Sequence, residues 1–257
     1  MVLRSEKMIA IAYSNSSIAS NNIAKKIKEI GIPSWAKMYE FDEDEIDLPL
    51  DTVSEEQIIV LSKHKSAAGT KSFTTHSLGN FDKAEYGGKE KTLVNSMPLI
   101  QTNLLRGLAT NNNSDHLVCF EVTHHGPFTN KSVCFIELGS SEDEWKQEAS
   151  AEIIANVVTK NTNKENNDVI AIGIGGGHYA PDFTKLAIRK NYSFGHICPM
   201  YMLEKLDSNL LTQMIEKTGA TEIIIDWKGL KNHKEKVIAL CEESGLPFER
   251  VQRLLKN

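Results

Sequence analysis

Residues 7–31, "KMIAIAYSNSSIASNNIAKKIKEIG", decide the fold class, because they place a buried strand directly before an amphipathic helix. The apolar run over 7–14 is typical of a buried strand. Ile23, Ile27 and Ile30 then recur at helical spacing, and Gly31 is a helix stop. The sequence therefore begins as a β-α unit.

The same alternation continues along the chain. Further strands are predicted at 35–41, 56–64, 116–123 and 132–138, in "VIAIGIGGG" (169–177), where the strand runs into glycines, in "FGHIC" (194–198) and in "TEIIIDW" (221–227). Helices are predicted from Pro98, after Ser141, and near 182–190, 207–218 and 233–244. This order predicts an α/β fold, a three-layer α/β/α arrangement with a mixed central sheet. We expect one domain over 1–257, in which the polar, glycine-containing stretch 65–92 is a long functional loop.

Composition narrows the class of protein. Of 257 residues, 40% are hydrophobic and 25% are charged, which is ordinary for a globular chain. No stretch approaches 18 consecutive apolar residues, so we expect no membrane span and a cytoplasmic location. The four cysteines form no CxxC pair, which argues against a zinc ribbon and favours buried reduced thiols.

The net charge of −5 argues against a large nonspecific nucleic-acid footprint, although local patches can still hold an RNA end. The stretches "SKHKS" (62–66) and "KGLKNHKEK" (228–236) are locally basic. We interpret both as solvated surface, with an RNA contact as the alternative.

Histidines recur where apolar runs give way to glycine and proline, as in "CFEVTHHGP" (119–127), "GIGGGHYAP" (173–181) and "FGHICP" (194–199). Ligands of α/β sheets bind where strands end and loops begin. If 121–125 is a strand end, alternation puts Glu121, Thr123 and His125 on one face and His124 on the other. Both imidazoles can line one pocket only if the chain turns sharply at Gly126-Pro127. Otherwise one histidine faces the site while the other packs or hydrogen-bonds behind it.

Imidazoles and a carboxylate without thiolate suit a catalytic zinc site with an open position. We expect one or two zinc ions, held by a subset of six candidate ligands: His76, Glu121, His124, His125, His178 and His196. Zinc-activated water is the expected nucleophile for an ester. The candidates for catalysis are Glu121, Thr123, His125 and His178.

The glycines of "GIGGGHYAP" allow close backbone approach and offer N–H groups beside His178. Such groups could stabilise an oxyanion or hold a terminal phosphate, or they could form only a tight turn. A dinucleotide site fits poorly, because Pro181 delays the helix and no acidic residue ends a strand about twenty residues later. The candidate substrate-binding residues are Lys63, His64, Ser77, Asn80, Gly175, Gly176, Gly177 and Tyr179.

The motifs "THSLGNF" (75–81), "EVTHHGP" (121–127), "GIGGGHYAP" (173–181) and "GHICP" (195–199) together resemble the archaeal and plant type of D-aminoacyl-tRNA deacylase. Their order and spacing agree with that family over nearly the whole chain, with a departure at Met200, where a lysine is expected, and an N-terminal extension over 1–7. The resemblance implies a phosphorylase/peptidyl-tRNA-hydrolase-like fold, zinc, and hydrolysis of the ester between a D-amino acid and the tRNA 3′ end.

The implied partner is tRNA, through its aminoacylated 3′ end, with no membrane and no protein partner; a monomer or a small homo-oligomer is expected. Two alternatives stay open at this point. One is a metal-independent hydrolase or phosphorylase of the same fold acting on a nucleoside-like or peptidyl-tRNA substrate, and the other is a non-catalytic tRNA-binding protein.

Overall fold

The computed structural model describes residues 8–256, so the predicted extension over 1–7 lies outside the described residues. The strands are Ile9–Ser14 (β1), Ala36–Phe41 (β2), Gln57–Lys65 (β3), Ser72–His76 (β4), Gly79–Asn80 (β5), Thr92–Leu93 (β6), Leu117–Phe120 (β7), Ser132–Ser140 (β8), Val169–Ile174 (β9), Tyr192–Cys198 (β10), Glu222–Ile225 (β11) and Phe248–Arg250 (β12). The α-helices are Ile18–Ile30 (α1), Pro98–Asn111 (α2), Glu142–Trp145 (α3), Glu148–Asn161 (α4), Pro181–Arg189 (α5), Ser208–Thr218 (α6), Lys234–Ser244 (α7) and Val251–Leu254 (α8).

The larger sheet has six strands in the order β2-β1-β3-β8-β4-β7. All neighbours are parallel except β4 and β8, which are antiparallel. One face packs against α1, α2 and α4 through side chains such as Ile11, Ile23 and Ile154. The predicted α/β class with a mixed central sheet is confirmed.

A second, fully parallel sheet of four strands, β10-β9-β11-β12, was not anticipated from the sequence. Alternation along β11 sends Ile223 and Ile225 into the core under α6 and α7, and Ile224 into the core with α5 and α8. Both faces are therefore apolar, as expected for a parallel sheet covered by helices.

The prediction of a loop throughout 65–92 is wrong for 72–76, which form the buried strand β4 in the middle of the larger sheet. All five of its residues are buried, but only Phe73 is apolar. The strand escapes pattern recognition because its remaining side chains line a polar interior and do not alternate between core and solvent.

The register of three strands builds the floor of a polar cavity. Ser62 of β3 and Thr74 of β4 both lie directly opposite Glu137 of β8, so the three side chains share one face. His64 and His76 follow two positions later on their strands and point the same way. No helix within residues 8–256 combines the length and apolarity needed to cross a bilayer.

Candidate active site

Three histidines converge where β4 and β7 end: His76, His124 and His125, whose donor atoms all lie within 4.8 Å of one another. The chain leaves β7 at Phe120 and turns sharply, with φ of +45° at His125. This turn brings both neighbouring imidazoles to one side, which is the first of the two arrangements that the sequence allowed.

Backbone carbonyls fix the orientation of these three rings. Nδ1 of His76 lies 3.2 Å from the Ser77 oxygen, that of His124 lies 2.8 Å from the Val122 oxygen, and that of His125 lies 2.6 Å from the Gly126 oxygen. A ring that donates Nδ1–H to a carbonyl presents an unprotonated Nε2, the tautomer of many metal-bound histidines. We call this group the three-histidine cluster.

A second group, the glutamate cluster, consists of His64, Glu121 and His178, again with donor atoms within 4.8 Å of one another. His178 Nε2 lies 2.7 Å from Glu121 Oε2, and His64 Nδ1 lies 3.0 Å from Glu121 Oε1. The outer nitrogens contact phenols: His64 Nε2 is 3.0 Å from the Tyr179 hydroxyl, and His178 Nδ1 is 3.2 Å from the Tyr201 hydroxyl.

The two clusters adjoin at His124. Its Nε2 lies 3.6 Å from Glu121 Oε2, and its ring centroid lies 4.9 Å from that of His178 and 4.4 Å from that of His76. Glu121 is fully buried, whereas the side chains of His124 and His178 are 28% and 35% exposed to solvent. Both clusters therefore form one cavity that opens to solvent at His124 and His178.

Glu137 lies beneath both clusters and contacts one histidine of each. Its carboxylate lies 3.6 Å from His64 Nδ1 and 3.5 Å from His76 Nε2, and it accepts hydrogen bonds from Ser62 (2.8 Å) and Thr74 (3.4 Å). Neither Glu137 nor Tyr201 is among the residues predicted from the sequence. For Glu137 a signal was present, since it is the only charge within the apolar run 132–138.

Burial and neighbouring charges set the protonation of these groups. Burial lowers the pKa of His124 well below its usual value, and burial together with nearby His76 lowers the pKa of His125 to about 4, so both rings are neutral near pH 7. Burial also opposes protonation of His64, but the neighbouring carboxylates of Glu121 and Glu137 raise its pKa to about 11. Burial opposes ionisation of Glu121, yet the adjacent imidazoles of His178 and His64 hold its pKa well below the usual range.

The donor set fits zinc. Two buried atoms, His76 Nε2 and Glu121 Oε1, have no hydrogen bond of ordinary geometry, although Glu137 and His64 lie 3.5 Å and 3.0 Å from them. Imidazole nitrogens and a carboxylate oxygen, three to a group, leave a coordination position open, as in catalytic zinc sites. Each group also has the outer hydrogen bonds that hold metal-binding imidazoles.

His196 lies outside both clusters, contrary to the expectation that it is a ligand. Its Nε2 lies 2.9 Å from the Val94 oxygen and its Nδ1 lies 3.1 Å from Thr123 Oγ1, so both ring nitrogens are engaged. Burial lowers its pKa to about 3, which keeps the ring neutral. Thr123 also accepts the Ile197 N–H at 3.1 Å and is buried, so its hydroxyl is not available to an oxyanion.

Three expected substrate contacts are occupied within the protein. Ser77 is buried and donates to Gln101 Oε1 at 2.8 Å. Lys63 is neutralised by ion pairs with Asp44 and Glu45. The Asn80 amide donates to the carbonyl oxygens of Gly87 and Lys89, at 2.9 Å and 3.3 Å, and so fastens the segment 82–91.

That segment nevertheless lies against the site, since Gly126 donates its N–H to the Tyr86 oxygen at 3.0 Å. His64 and Tyr179 also lie in the site, but their contacts are with other site residues, as described above. The structure therefore brings His64 and Tyr179 to the site, whereas Lys63, Ser77 and Asn80 have partners within the protein.

The glycine turn, residues 175–177, packs mainly away from the histidines. Gly175 has φ of +102° and donates its N–H to the Cys198 oxygen at 2.9 Å. A Cβ at Gly175 would lie 2.9 Å from the Asp226 oxygen, and Gly176 lies against the backbone of Gly229. Gly177 has open space around it. These contacts favour the tight-turn interpretation for Gly175 and Gly176, whereas a Cβ added at Gly177 would meet no neighbour within 4 Å.

Comparison with known proteins gives one consistent result. The family model described as D-aminoacyl-tRNA deacylase matches residues 52–249. The D-aminoacyl-tRNA deacylase of Methanocaldococcus jannaschii is 37% identical over 265 residues, covering 95% of this chain and 100% of that protein. The D-aminoacyl-tRNA deacylase of Pyrococcus furiosus is 34% identical over 250 residues, covering 95% of this chain and 93% of that protein. The crystal structure of a conserved protein of unknown function, AF0625, superposes with a TM-score of 0.91 at 28% identity, covering 97% of each chain.

Proposed function

The chain belongs to the D-aminoacyl-tRNA deacylase family, and we propose that it hydrolyses the ester between a D-amino acid and the tRNA 3′ end by means of zinc held in the two histidine clusters. The products are free tRNA and the free D-amino acid, and the reaction serves chiral proofreading in the cytoplasm. One observation carries the zinc assignment: three convergent imidazoles, each fixed through Nδ1 by a backbone carbonyl, lie beside a buried carboxylate.

The three-histidine cluster is the first proposed zinc site, held by His76, His124 and His125. The glutamate cluster is the second, held by His64, Glu121 and His178. Zinc bound there would polarise the ester carbonyl and lower the pKa of water to about 7. His64 carries a proton in the metal-free protein, and that proton would leave when a metal binds.

The chain's own groups orient the reactants and move the proton. Hydrolysis adds water across the bond between the acyl carbon and the ribose oxygen, so that oxygen must gain a proton as it leaves. Tyr201 is half exposed at the mouth, and its hydroxyl contacts His178 at 3.2 Å. A phenol is protonated near neutral pH, so we assign Tyr201, oriented by His178, to deliver that proton, and the proton given up by the attacking water restores the phenol.

Incubation of D-tyrosyl-tRNA and L-tyrosyl-tRNA with the protein tests this function. We expect preferential release of D-tyrosine by the wild type. The variants His125→Ala and His178→Ala should lose activity and keep their fold, because both side chains lie at the cavity and not in an apolar core. His233→Ala is the matched control, since that histidine ends the short turn before α7 and belongs to neither cluster. Unchanged turnover in both cavity variants would contradict the assignment.

A further inference from the structure

A groove of about 540 Å³ lies at the carboxyl ends of β11 and β12 and carries a concentration of positive charge. Its walls include four cations and one carboxylate: Lys228, Arg250, Arg253, Lys256 and Glu249. The chain as a whole has a net charge of −5, so this positively charged surface lies on a molecule whose overall charge is negative. Part of the groove belongs to the basic stretch 228–236, which the proposed reaction leaves without a role.

Trp227 also lines the groove, and two cations lie over its ring. The Arg250 guanidinium carbon is 3.6 Å from the ring centroid, and Lys234 Nζ is 5.0 Å from it. An aromatic ring among cations is the combination with which proteins hold single-stranded nucleic acid, by stacking and by contact with phosphates.

Most of these cations have no acidic partner. Within residues 8–256, Lys228, Arg250 and Lys256 form no ion pair, and Arg253 pairs only with Glu249, at 3.2 Å. The nearby Asp226 carboxylate is held by Gln252, which donates to it at 2.6 Å. The positive charge of the groove is therefore available to an external anion.

The groove adjoins the histidine cavity through the glycine turn. On the cavity side, Met200 donates its N–H to the Gly176 oxygen at 2.9 Å, next to Tyr201. On the groove side, the backbone of Gly229 lies so close that an added Cβ would be 2.3 Å from Gly176 N. His178 follows Gly176 by two residues, so one turn separates the reacting groups from the cationic surface.

We propose that this groove binds the phosphodiester backbone of the tRNA acceptor end while the aminoacylated 3′ terminus enters the histidine cavity. The inference rests on the proposed function for the identity of the RNA. Because the rest of the molecule repels polyanions, attraction must come from a local patch, and phosphate contacts by lysine and arginine supply it. Lys228, Arg250 and Lys256 carry these contacts, and the Trp227 ring holds the Arg250 guanidinium in place at the groove.

The test compares two double variants with the same charge change. Lys228→Ala/Lys256→Ala removes two groove cations, and Lys25→Ala/Lys160→Ala removes two exposed lysines on α1 and α4, which cover the other sheet. Binding of uncharged tRNA is followed by fluorescence anisotropy at several salt concentrations. The groove variant should weaken binding and lower the slope of log Kd against log salt by about 2, one for each phosphate contact. With D-tyrosyl-tRNA its KM should rise while kcat stays unchanged.

Equal affinities and equal salt slopes in the two double variants would overturn the groove assignment. So would polyglutamate that displaces tRNA as effectively as RNA of equal charge does, since an acidic protein would then be the better partner. Binding of uncharged tRNA does not require ester cleavage. A wild-type protein that binds tRNA through the groove but leaves D-tyrosyl-tRNA intact would therefore refute the proposed function and support the groove.

Discussion

Glu121→Gln in the metal-free protein should remove the ion pairs of the glutamate cluster while keeping the side chain almost the same size. The carboxylate is fully buried and contacts His64 at 3.0 Å and His178 at 2.7 Å. In the variant, the protonated His64 loses its nearest counter-charge and keeps only Glu137, at 3.6 Å. The expected result is a marked loss of stability at pH 7.

The magnitude follows from the pKa of His64, which rises to about 11 in the folded protein. A raised pKa stabilises the folded state fully below the unfolded value of about 6.5, and this contribution is lost as the pH rises through 11. At pH 7 the contribution is about 5 kcal/mol, at about 1.36 kcal/mol for each pH unit below 11. Glu137 supplies part of it, so we assign roughly 3 kcal/mol to Glu121, within the range for breaking a buried pair.

Urea unfolding at pH 7 in the presence of chelator measures this free energy. The cycle needs the wild type, Glu121→Gln, His64→Gln and the double variant. We expect Glu121→Gln to cost about 3 kcal/mol in the wild type and much less when His64 is already replaced. If the two single effects add to within about 0.5 kcal/mol, the two residues are not coupled and the protonation assigned to His64 is wrong.

Three further outcomes are expected. Glu137→Gln should weaken zinc binding about 10- to 100-fold in a chelator competition, because its negative charge lies 3.6 Å and 3.5 Å from the nitrogens of His64 and His76 that would face the metal and so attracts the cation; equal affinity would contradict this. His196→Gln should lower the free energy of unfolding by about 1–3 kcal/mol and leave the zinc content, measured by mass spectrometry, unchanged. Gly175→Ala should lower the melting temperature through about 1–3 kcal/mol of strain at its positive φ, whereas Gly177→Ala, with open space, should not; equal melting temperatures would argue against the turn described.

The elements that the sequence predicted are those whose burial is apolar. β1, α1 and β9 follow the expected periodicities closely, since their cores are isoleucine and alanine. β4 was missed because Thr74, Thr75 and His76 are buried among polar groups contributed by other strands. The separation into two sheets depends on strand order, which no local pattern encodes.

The residues of the site likewise fall into those that the sequence pointed to and those whose place depends on the fold. Several of the histidines before glycine and proline do lie together, because the ends of neighbouring strands meet at one edge of a sheet. Which of them converge depends on partners distant in sequence: Val94 engages His196, and Gln101 engages Ser77. Glu137 stands out in the sequence as the one charge of the apolar run 132–138, but only the register of β3, β4 and β8 places it between His64 and His76.

Zinc reconstitution tests the central claim most directly. Protein stripped with chelator is titrated with zinc, and the rate of D-tyrosyl-tRNA hydrolysis is recorded against the measured zinc content per chain. We predict a negligible rate without metal that rises with bound zinc and reaches a plateau once the clusters are filled, at one or two ions per chain. Full turnover by the stripped protein, with no bound metal, would contradict the assignment of the two clusters to zinc chemistry.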